Sequence, residues 1–201
     1  MMKAVRDFDP VRLGDFDPVR LGEHEAAAWV AYYQHRWAAL LRAAMGMVRV
    51  GFGLSWLATL RGAWLVLRAN QAWAPYPEND PDRARALMRR FYALVTAATG
   101  ERFDLDEAAR LEIEWWRVHR YLQREAPDGS TRSLAEAVAA LYAHVYRRPI
   151  EEMLPAAAHR AAAMRISDAW VEAGKDPASP SLAAERAELV KGYTLLRAAL
   201  R

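Results

Sequence analysis

The chain has 201 residues, with 28 Lys and Arg against 25 Asp and Glu, a net charge of +3, and no cysteine. That length fits one domain with a sizeable core, and 53% hydrophobic residues exclude a disordered chain. Without cysteine there are no disulfides, thiolate nucleophiles, Cys-ligated zinc sites or iron–sulfur clusters.

The N-terminus carries a tandem repeat. Asp7–Gly14 reads DFDPVRLG, and Asp15–Gly22 repeats it letter for letter. Two copies are too few for a solenoid, and Pro10, Gly14, Pro18 and Gly22 disfavour regular structure. Residues 1–22 are therefore expected to form an extended or mobile arm, with Phe8 and Phe16 as anchors if it docks. No apolar signal-peptide core is visible there. Arginine so far outnumbers lysine as to suggest the coding bias of a GC-rich bacterium, and a cytoplasmic location is expected.

Residues 23–201 read as one all-α domain, a bundle of six or seven helices with mostly antiparallel neighbours. The first helix is predicted from Glu23 to Val50, with Trp29, Tyr33, Leu40, Ala44 and Val48 on one face, ended by Gly51 and Gly53. Ser55 caps a second helix running to Ala72. Asn79 or Asp80 with Pro81 opens a third, which Gly100 ends at Thr99. Asp104 with Glu107 starts a fourth running to Glu125. Ser133 with Glu136 is a further capping box, opening a fifth helix to Arg147. Pro149 starts a sixth to Gly174, with a bend at Pro155, and Ser181 caps the last, which ends at Leu200.

One stretch stands apart chemically. Ala26–Pro77, 52 residues, contains no Asp or Glu, yet it holds Arg36, Arg42, Arg49, Arg61 and Arg68 and five of the eight tryptophans. Arg42 and Arg49, and again Arg61 and Arg68, are seven apart and so nearly superimposed on their helices. The second helix is apolar almost all round, which predicts burial. Water along a snorkelling edge, internal acids, or a bound anion are the three ways to satisfy these guanidinium groups. The candidate ligand- or anion-binding set is Arg42, Arg49, Arg61, Arg68 and Trp64.

A second set lies further on. Glu112, His119 and Gln123 share one side of the fourth helix, flanked by Trp115 and Trp116. Glu112 and His119 are separated by about 10 Å of axial rise, too far for one ion to bridge directly. His159 falls among small residues on an apolar face of the sixth helix. Glu112, His119 and His159 form the candidate metal set, the bland reading being a polar seam at the border of the core for Glu112 and His119, and a core histidine hydrogen-bonded to a backbone group or a carboxylate for His159. No P-loop, GxGxxG, GxSxG, HExxH or EF-hand pattern occurs, and no catalytic residue or particular cofactor emerges.

Two functions follow as expectations. The first is a non-catalytic binding protein, with the Arg/Trp-rich helices forming a surface or pocket for a protein partner, a lipid or an anionic or apolar small molecule. Indole and guanidinium groups are favoured at interfaces, and the same face admits peripheral membrane contact or a second copy of the chain. Nucleic acid is disfavoured, because the arginines are dispersed among apolar residues. The alternative is a small metal- or haem-dependent helical enzyme using Glu112, His119 and His159.

Overall fold

The computed structural model describes residues 13–126 and 129–201. Among these the protein is all-helical: α1 (Pro18–Tyr33), α2 (Trp37–Phe52), α3 (Trp56–Trp73), α4 (Pro81–Thr99), α5 (Leu105–Arg124), α6 (Arg132–Tyr146), α7 (Ile150–Glu172) and α8 (Ser181–Ala199). Eight helices thus replace the expected six or seven. The difference is one break in the predicted first helix. His35 adopts a left-handed φ of 56°, the Arg36 N–H donates to the Ala31 carbonyl at 2.8 Å, and the His35 ring stacks on Trp37 at 5.6 Å. No glycine or proline marks this turn. Histidine is among the few non-glycine residues that enter the left-handed region with any frequency.

The second octad copy is part of the fold, which corrects the boundary at residue 22. Asp17 caps α1 by accepting from the N–H groups of Val19 and Arg20 at 2.9 and 3.1 Å, and Pro18 occupies the first helical turn, where its missing N–H costs nothing. Phe16 is buried with its ring edge-on to Tyr193 at 5.9 Å. Most of the first copy, including Phe8, lies outside the described residues.

Several predicted caps are present. Ser55, Asp80 and Asp104 each accept a backbone N–H at the start of α3, α4 and α5, and Gly100 closes α4 with φ 74°. Two are corrected. The helix α6 begins at Arg132 after Thr131, ahead of the Ser133 box, and α8 begins at Ser181 with no side-chain cap. The α7 helix is continuous through Pro155.

Each helix packs against its neighbour in sequence, and α8 packs against α1. The expected bundle is therefore a closed ring in which every helix has two flanking partners. Across α1 and α2, His24 lies against Gly46 and Leu21 against Gly51, an antiparallel register. The closing seams are glycine-tight. A Cβ on Gly22 of α1 would stand 2.9 Å from Val190 Cγ2 and 3.0 Å from its backbone N, and one on Gly192 of α8 would stand 3.0 Å from the Ala156 carbonyl oxygen. Alanine is favoured over glycine inside a helix by about 1 kcal/mol, yet overpacking a tight seam costs about 1–3 kcal/mol. Gly22→Ala should therefore lower the urea midpoint. A raised midpoint would mean that the α1–α8 seam yields.

Candidate functional site

The ring encloses a cavity of about 310 Å³ to which all eight helices contribute. One wall is apolar. Leu40, Ala44 and Val48 recur every four residues along α2 and so share a face, and Val66 of α3 with Met88 and Phe91 of α4 continue it. Polar side chains also line it, among them Glu25, Glu112, His119, Gln123, Arg160 and Tyr193, which form the polar wall.

Every charge on that wall has a designed environment. The Arg160 guanidinium donates to Glu25 Oε1 through Nη2 at 2.6 Å and Nε at 3.0 Å. Tyr193 donates its hydroxyl to the other Glu25 oxygen at 2.5 Å. Arg160 also lies over the Trp115 ring at 4.8 Å. Glu112 accepts from the Tyr92 hydroxyl at 2.6 Å and from the Trp116 indole N–H at 3.1 Å. Burial pushes the Glu112 carboxyl above the usual carboxylate range, although these two donors and Arg160 oppose it. Burial, and then the facing Glu112 carboxylate, raise the Tyr92 phenol as well. His119 Nε2 lies 3.0 Å from Asp168, which also accepts from Gln123 at 2.8 Å, and Gln123 reaches the Tyr33 hydroxyl at 3.2 Å.

Of the lining residues only His35 and Arg124 are exposed, which puts the mouth where α1, α3 and α5 end. Arg120 stands just inside. It donates to the Trp73 carbonyl at 2.9 Å and lies over the Trp73 ring at 4.4 Å. Among the described residues neither Arg120 nor Arg124 has an acidic partner.

The two residue sets read from the sequence are placed differently. Arg42, Arg49, Arg61, Arg68 and Trp64 do not line the cavity. All but the half-buried Arg68 are exposed, and none of the four arginines pairs with an acid among the described residues. The expected burial of the second helix is corrected. The α3 helix turns one face inward and leaves Trp56, Leu57, Leu60 and Trp64 exposed at 67%, 78%, 47% and 51%, because a ring member has an outer side. In the metal set, Glu112 and His119 meet at the cavity but His159 does not. Its Nδ1 is 2.6 Å from Glu188 on α8, so the expected apolar setting is a half-exposed polar pair. Among the described residues no group of three or more His, Asp or Glu is arranged to hold a metal ion.

Sequence reasoning missed Glu25, Tyr92, Arg120, Arg160 and Tyr193. Only Arg160 carried a visible signal, as a cation set between two runs of alanine in α7. Fold and cavity together define a closed helical ring around an amphipathic chamber. Comparison with family models, curated proteins and solved structures returned no match.

Proposed function

We propose that this protein is a non-catalytic binding protein that takes a small amphiphilic molecule into the ring. The carrying observation is the 310 Å³ chamber, within the size of small-molecule sites, lined by both apolar and polar side chains. Leu40, Val48, Val66 and Phe91 would meet the ligand's apolar body. Arg160 is already neutralised by Glu25, so the cations left for an anionic group are Arg120 and Arg124 at the mouth. A carboxylate or phosphate head there would give Arg120 the acidic partner that the fold does not supply, its side-chain neighbours being the Tyr32 phenol and the Trp73 and Tyr76 rings. The ligand class is thus an anionic amphiphile with its head at the mouth and its body inside.

Native mass spectrometry of the purified protein, with organic extraction, tests this directly, and a fluorescent fatty-acid analogue serves as the titrated probe. Saturable binding is expected, with a stabilisation of about 2.7 kcal/mol at a hundredfold excess over Kd. Ala44→Phe and, separately, Val66→Phe should fill the chamber and abolish probe binding while circular dichroism stays helical. Arg120→Gln should weaken the probe without closing the chamber. Saturation unaffected by both filling variants would place the ligand elsewhere and sink the reading.

A further inference from the structure

The outer face of α3 is unexplained by the chamber. Trp56, Leu57, Leu60 and Trp64 are exposed large apolar side chains, and such side chains exposed together are the informative exception to burial. At 100° per residue they fall on one arc of the helix, with Arg61 and Arg68 continuing it, and Trp56 to Trp64 spans about 12 Å along the axis. Cations frame the indoles. Arg49 lies over the Trp56 ring at 5.3 Å and Arg68 over Trp64 at 5.9 Å. Arg61 is exposed and makes no ion pair among the described residues.

We propose that this face seats the protein on the surface of an anionic lipid bilayer. Charge selects the occupant. From Ala26 to Pro77 there is no carboxylate, so the face meets a negative surface without repulsion, whereas a second copy would bring arginine against arginine. The side chains then select a bilayer over an acidic protein. Indoles beside guanidinium groups suit the headgroup level, where each ring has an apolar body and a polar edge, and Leu57, the most exposed of the four, is placed to enter the acyl boundary. No helix among the described residues is long and apolar enough to cross a membrane, so the contact is peripheral. The inference stands on the outer face of α3, with Arg49 of α2 beside it, and does not need the chamber to be a ligand site.

The test is co-sedimentation of the full chain with phosphatidylcholine vesicles, with and without about one-third phosphatidylserine. Binding to the anionic vesicles, its loss at high salt and a blue shift of tryptophan emission are expected, with little binding to the neutral ones. Leu57→Ser with Trp64→Ser, and separately Arg61→Glu, should each reduce the bound fraction at least about tenfold. All three positions are exposed, so the fold should persist, as circular dichroism will show. Equal binding to neutral vesicles, no binding at low salt, or variants that sediment like the parent protein would each overturn the proposal. So would a concentration-dependent dimer that Leu57→Ser abolishes, which would assign the face to a second copy of the chain.

Discussion

Arg160→Met should destabilise the fold by about 3–5 kcal/mol, the usual cost of stranding one member of a buried ion pair. Glu25 is wholly buried, and without Arg160 its carboxylate would keep only the Tyr193 hydroxyl. Methionine fills much of the vacated volume, so the loss is electrostatic rather than a cavity effect. The double variant Glu25→Gln with Arg160→Met should recover most of it, because no charge is then left unpaired. Arg160→Lys should recover little, since an ammonium cannot reproduce the two-nitrogen grip on one oxygen or the stacking over Trp115. For a domain whose whole stability is about 5–15 kcal/mol, the single variant would show a large fall in urea midpoint. A shift under about 1 kcal/mol would mean that water in the chamber solvates the pair.

The parts of the fold that could be read from sequence are those set by neighbours in the chain. Ser55, Asp80 and Asp104 cap their helices because an Asx or Ser oxygen reaches an N–H two or three residues on, whatever the rest of the protein does. The break at His35 escaped notice because its cause is not a breaker residue. A histidine enters the left-handed region and is held there by a stack on Trp37. The burial of Phe16 was also hidden, since its partner Tyr193 lies near the other end of the chain.

The candidate site was harder still, for a physical reason. Helical periodicity ranks faces by hydrophobicity, and buried polar side chains in a chamber run against that ranking. Glu112, His119 and Gln123 were legible because they stand two and three turns apart on one face of α5. Glu25 and Arg160 were not, because they stand on different helices and are 135 residues apart in the chain. Only the closure of α8 onto α1 makes them partners. The acid-free stretch leads to the expectation of a counterpart for its charges; the ring turns those arginines outward, with Arg49 donating to the Leu54 carbonyl and Arg68 to Gln71, away from the chamber that the same helices help to wall.

Glu185→Gln should stabilise the protein by a few kcal/mol at pH 8 and by almost nothing at pH 4.5. Glu185 is wholly buried on α8, and the Ser167 hydroxyl beside it is the one group that favours its ionised form. Burial, aided by the nearby Glu25 carboxylate, raises its acid from 4.5 to about 8. Below pH 4.5 both folded and unfolded chains hold the proton, and the group imposes no cost. As the pH rises from there to about 8, the unfolded chain releases the proton while the folded one keeps it. Folding stability therefore falls over that window by about 1.4 kcal/mol per pH unit, and levels off once the folded carboxyl also ionises. Glutamine has the same shape and no proton to lose, so its urea midpoints should not share this decline. Melts of both proteins from pH 5 to pH 8.5 should diverge steadily as pH rises. Parallel curves would show that the Glu185 carboxyl is already ionised in the fold, solvated through the groove that α1, α2 and α8 form beside it.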